Sequence, residues 1–120
     1  MIETIKLAVP FPPSSNMAYP TVKRGKKLMR VKSDRYKEWL RKCPELDIKL
    51  TGEFTISYHM YFPDNIVRDG QSYMKLPLDY LVKQGVLEED NRFIVRGEQW
   101  IDCGNDKENP RIEINIRRIR

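Results

Sequence analysis

Asp69, Lys75 and Asp90 are the residues of this chain whose types and spacing could do chemistry. They bracket the stretch RDGQSYMKLPLDYLVKQGVLEEDN, in which two acidic sites flank a predicted helix and Arg68 stands beside the first. Carboxylates supply the oxygen ligands that a hard divalent cation such as Mg²⁺ takes, and a nearby ammonium offsets charge developing on a phosphate. The pattern points to metal-dependent phosphodiester hydrolysis. Asp69 and Asp90 lie at opposite ends of the helix, so they can meet only if the chain returns past the helix start. Gly85 as a C-cap, the polar connection Glu88-Glu89-Asp90-Asn91 and a strand opening at Phe93-Ile94-Val95 permit that return.

The elements that must position these residues follow from periodicity. The helix runs over roughly 70–84, with Tyr73, Leu76, Tyr80 and Leu81 at intervals of three and four; Pro77 should kink it and orient its first turn separately. Ile5 to Val9 reads as a strand ended by Pro10, followed by PFPPSSN as a stiff extended loop. Tyr19 to Val31 reads as a basic hairpin turning at Arg24-Gly25-Lys26. Ser33 caps a helix to about Cys43 with Tyr36, Trp39 and Leu40 on one face, and Pro44 stops it. Glu53 to Phe62 alternates strictly and is the clearest strand. Phe93–Ile101 and Arg111–Ile119 read as two further strands joined by CGNDKENP, the last an edge or half-buried strand guarded by arginines. The expected fold is one α+β domain over 1–120, a mixed β-sheet of about four or five strands with two main helices packed on it.

Composition narrows the function classes. Twenty-two Lys and Arg against seventeen Asp and Glu give a formal charge of +5, which favours polyanionic partners. The basic residues collect in VKRGKKLMRVK and in the C-terminal RRIR. Lys23, Arg24, Lys26, Lys27 and Arg30 are candidate phosphate contacts, and a solvated hairpin is the alternative for the same cluster. No apolar run approaches a membrane span and no signal-peptide core opens the chain, so no membrane partner and a cytoplasmic location are expected. Cys43 and Cys103 have no CxxC partner, which excludes a zinc site of the usual spacing; free thiols are expected, with one disulfide left open. His59 is the single histidine and reads as an ordinary strand residue.

Two motifs, with the element order between them, resemble the RusA family of Holliday-junction resolvases across almost the whole chain. PFPPSSN is similar to the family's P-x-PPS-x-N loop, with Asn16 in its asparagine position. Arg68, Asp69, Lys75, Asp79, Gly85, Glu89 and Asp90 occupy the family's R-D-x-D-N, lysine, helix-aspartate, glycine and acidic-pair positions. The resemblance implies an endodeoxyribonuclease of a phage or bacterial cell that uses Mg²⁺, with Mn²⁺ as a substitute. It would act as a homodimer on four-way or branched DNA and make paired nicks. It implies Asp69, Asp90 and Lys75 as catalytic residues, with Arg68, Lys75 and Asn16 added to the DNA contacts.

One departure touches the chemistry: the second aspartate of D-x-D-N is Gln71 and the asparagine is Ser72. Gln71 keeps an oxygen ligand and loses a charge, which weakens attraction for Mg²⁺; Glu89 or Asp64 is the expected source of a replacement. Two alternatives therefore stay open. One is a branched-DNA-binding protein with reduced or lost cleavage. The other is an RNA-binding or protein-interaction module. Asp69 alone would read as a helix N-cap, and Asp79 as the surface partner of Lys75 at i+4.

Overall fold

The computed structural model describes residues 4–120; Met1, Ile2 and Glu3, part of the expected 1–120 domain, lie outside the described residues. The chain forms β1 (Thr4–Pro10), α1 (Ser15–Ala18), β2 (Thr21–Arg24), β3 (Lys27–Arg30), α2 (Asp34–Lys42) and β4 (Phe54–Phe62). A 3₁₀ turn (Gly70–Tyr73), α3 (Lys75–Lys83), β5 (Val95–Asn105) and β6 (Arg111–Arg118) complete it. The class is α+β, with a mixed four-stranded sheet in the order β1-β6-β4-β5 and the separate two-stranded hairpin β2-β3.

β4 shows why the sheet has a core side and a polar side. Phe54, Ile56, Tyr58, Met60 and Phe62 are buried, and the residues between them are half-buried. Ile112, Ile114 and Ile116 of β6 continue the apolar face, and Tyr36 and Trp39 of α2 with Leu76, Tyr80 and Leu81 of α3 close over it. Tyr36, Trp39 and Tyr80 stack edge to face in sequence, and Trp39 Nε1 donates to the carbonyl of Pro10 at 2.7 Å, pinning α2 to the end of β1. Thr55, Ser57, His59 and Tyr61 line the opposite face with Glu113 and Asn115.

Four sequence expectations need correction. PFPPSSN does not stay extended to its end: Ser14 Oγ accepts from the N–H of Met17 and starts a single helical turn that contains Asn16. The helix expected over 70–84 is two pieces, since Asp69 Oδ1 accepts from the N–H of Gln71 and caps a separate 3₁₀ turn. Pro77 then falls in the first turn of α3, where its missing N–H has no helical partner to lose, so it marks a helix start and kinks nothing. The third concerns β6, which is half-buried as one alternative had it but is no edge strand: it is central, paired antiparallel to both β1 and β4. Its arginines lie at the strand ends and on the polar face, where charge says nothing about free hydrogen-bonding edges. Fourth, β5 begins at Val95 and continues through Cys103 to Asn105, taking in the start of the expected turn. The connection to β6 crosses the end of β4, where the N–H of Asp106 donates to the carbonyl of Phe62 at 2.8 Å.

Candidate functional site

The return predicted for the chain takes place. β4, the 3₁₀ turn, α3 and β5 form a strand–helix–strand unit with β5 parallel to β4, the arrangement that needs a helical crossover. α3 ends where the N–H of Gly85 meets the carbonyl of Val82 and the N–H of Val86 that of Leu81, both at 3.0 Å, which turns the chain sharply and buries Val86. β5 then passes the 3₁₀ turn, and the ring of Trp100 lies flush against Gly70.

This packing produces a cleft of about 230 Å³ lined by Gln71, Met74, Lys75, Leu78, Asp79, Asp90 and Glu98. Residues from the start of the helix, its body and the loop beyond it thus share one concavity. Lys75 Nζ lies 3.6 Å from Asp79 Oδ2, the expected i+4 pair, and 5.6 Å above the ring of Tyr19. Tyr19 donates its hydroxyl proton to Asp79 Oδ2 at 2.6 Å. Burial, reinforced by that carboxylate, holds the Tyr19 phenol well above its usual range, so it stays a neutral donor. Tyr58, driven up by burial and then by the charge of Glu98, donates to Glu98 Oε2 at 2.7 Å from the floor of the sheet.

Of the sequence-predicted residues, Gln71, Lys75 and Asp90 line the cleft. Asp69 does not: its carboxylate is engaged in capping the 3₁₀ turn. Glu89 is exposed and outside the lining. Asp64 is held bidentately by Arg68, which depresses its carboxyl below the usual range and takes it away from the role of replacement ligand. Arg68 is largely covered by the same pairing and faces a neighbouring hollow with Asn65 and Asp102. Asn16 is exposed on α1, which packs against the 3₁₀ turn and α3.

Sequence reasoning misses Glu98. It pairs with Ile56 in the β4–β5 register, so it shares the helix-side face with Trp100 two residues on. Along β5 its parity is shared with Arg96, Trp100 and Asp102, a mostly charged set, so the sequence pattern carries no signal for it.

Lys23, Arg24, Lys26, Lys27 and Arg30 are all exposed on the β2-β3 hairpin. The root of the hairpin is tied to the cleft: Arg30 Nε and Nη2 donate to the carbonyl of Tyr19 at 3.0 and 2.9 Å, and Tyr19 reaches Asp79. Beyond it Lys32 crowds Lys83 and lowers the latter's ammonium below its usual range, a repulsion that an anion would relieve.

The donor chemistry of the cleft, three carboxylates and one amide oxygen, suits a hard divalent cation. Among the described residues, no three His, Cys, Asp or Glu side chains converge closely enough to hold one. The same residues contain no helix long and apolar enough to cross a membrane. No protein-family model matches the chain, and no curated protein matches it.

Gly70 is the joint of this site, because a Cβ there would overlap the indole of Trp100. Gly70→Ala is expected to cost roughly 1–3 kcal/mol of stability, as overpacking does, and to displace Gln71 from the cleft. Urea unfolding followed by tryptophan fluorescence measures the first effect, and wild-type stability in the variant would show that the packing there is slack.

Proposed function

We propose that this protein is a RusA-like endodeoxyribonuclease that nicks four-way or branched DNA. The observation that carries the reading is the shared cleft of Gln71, Lys75, Asp90 and Glu98, joined through Tyr19 to a hairpin bearing five exposed basic residues. Asp90, Glu98 and the Gln71 amide oxygen would hold Mg²⁺ or Mn²⁺. When bound, such an ion polarises a phosphate oxygen and makes water a better nucleophile at neutral pH. Lys75, steadied by Asp79, offsets negative charge gained by the phosphate in the transition state. Lys23, Arg24, Lys26, Lys27 and Arg30 grip backbone phosphates on either side of the break, which gives affinity without base preference. A homodimer acting in the cytoplasm of a bacterial or phage-infected cell belongs to the same reading, since twofold symmetry presents two identical clefts to paired strands.

The testing experiment is cleavage of a synthetic four-way junction with and without Mg²⁺, against linear duplex as control. Metal-dependent paired nicks are expected in the junction alone.

A second reading, branched-DNA binding without cleavage, is favoured by one observation: the Asp69 carboxylate is engaged as a cap outside the cleft lining. Tight junction binding with no nick at any Mg²⁺ or Mn²⁺ concentration would establish it.

Either reading requires the hairpin to touch phosphates. Changing Lys23, Arg24, Lys26 and Lys27 together to alanine is expected to weaken binding to every DNA and to reduce the slope of log K against log salt by about 0.9 for each duplex phosphate that the hairpin ceases to neutralise. An unchanged slope in a filter-binding or anisotropy titration would make the hairpin a solvated arm.

A further inference from the structure

The polar face of the sheet carries a second group of reactive side chains that the proposed nuclease does not use. Cys103 Sγ lies 3.8 Å from His59 Nδ1. His59 Nε2 lies 2.9 Å from Ser57 Oγ and 3.0 Å from the side-chain amide of Asn115. With its ring proton on Nε2 and donated to Ser57 Oγ, the imidazole turns the Nδ1 lone pair toward the thiol; a half-turn of the Asn115 amide offers Oδ1 as a second acceptor. Thiol, base and orienting group thus stand in the order that activates a nucleophile.

The backbone aims the thiol there. Met60 pairs with Asp102 and Phe62 with Asn105, so Cys103 and Gly104 together oppose Tyr61 across a bulge. Gly104 has φ +92°, a conformation that L side chains rarely adopt. Cys103 and His59 are both part-exposed. The other titratable groups facing them are Tyr61 on β4, which contacts Cys103, and Glu113 and Arg111 on β6, the latter 3.8 Å above the Tyr61 ring.

We propose that Cys103 is a nucleophilic thiol activated by His59, and that this face exchanges with small disulfides. In the exchange the Cys103 proton passes to His59 Nδ1 and the sulfur attacks one sulfur of the disulfide. A new S–S bond forms as the old one breaks, the other sulfur leaves as a thiolate, and His59 gives up its proton to that thiolate or to solvent. The only oxidant needed is the disulfide itself. The second thiol does not compete, because Cys43 is buried and burial pushes it up to about 12.

The test uses the intact protein and the dianionic aromatic disulfide 5,5′-dithiobis(2-nitrobenzoate), with release of the coloured thiolate as readout. One fast equivalent is expected, abolished in Cys103→Ser. His59→Gln should slow the reaction roughly tenfold or more at neutral pH and change its rate–pH curve. Asn115→Ala should slow it less and in the same direction. Equal rates and superimposable pH curves for wild type and His59→Gln, with both folded by circular dichroism, would overturn the activation. If His59→Gln does not fold, an unchanged rate and pH curve in Asn115→Ala would overturn it instead.

Discussion

Asp90→Asn is expected to lower Mg²⁺-dependent cleavage of a four-way junction by about 100-fold or more, while junction affinity stays within about twofold. Loss of even an outer partner of a metal ligand typically costs ~10–100-fold, and Asp90 is one of the carboxylates that line the cleft. The residue is exposed, so the substitution should leave stability within about 0.5 kcal/mol. Binding should survive, because the proposed phosphate contacts lie on the hairpin. The converse change at the other end of the cleft, Gln71→Asp, adds a hard anionic ligand and should lower the Mg²⁺ concentration for half-maximal cleavage. Full cleavage by a folded Asp90→Asn protein would remove Asp90 from the site.

Trp39→Ala should be the most damaging single change to the fold, at about 3–5 kcal/mol. The side chain is 4% exposed, packs against Tyr36 and Tyr80, and donates to the Pro10 carbonyl. Against a total stability of about 5–15 kcal/mol for an ordinary domain, the loss leaves a marginal protein. Trp39→Phe keeps a ring and forfeits the hydrogen bond, leaving the Pro10 acceptor short of a partner, and should cost less, about 1–3 kcal/mol. Urea midpoints for the two variants measure the difference. Equal midpoints would mean the hydrogen bond, not the packing, dominates.

Where one physical cause set an element, the sequence was readable. The alternation of 54–62 could only be a strand with one buried face, and Ser33 with Tyr36 and Trp39 could only be a capped amphipathic helix. The hairpin was legible because Gly25 stands between two short basic runs. The break at Met74 was harder, since apolar spacing continues across it, and only the Asp69 cap sets the first turn apart. Position in the sheet was not legible for β6: alternation reports which face a residue takes and is silent on which strands flank it. Gln71, Lys75 and Asp90 could be picked out, because each is fixed by local order around one helix. Glu98 enters the cleft through a pairing between strands that local order does not encode.

The placement of β6 also orders events during synthesis. Among the described residues β1 makes its ladder only with β6, Thr4 facing Arg117, so this strand must wait, unpaired, until nearly all of the described residues after it have emerged. Contacts of such long sequence separation slow folding and prolong the exposure of unpaired strand edges. β4 and β5 make no ladder with the N-terminal strand, and α3 joins them directly. The carboxylate-bearing half of the cleft can therefore take shape as a local unit, and β6, arriving late beside β4, draws β1 onto its own far side.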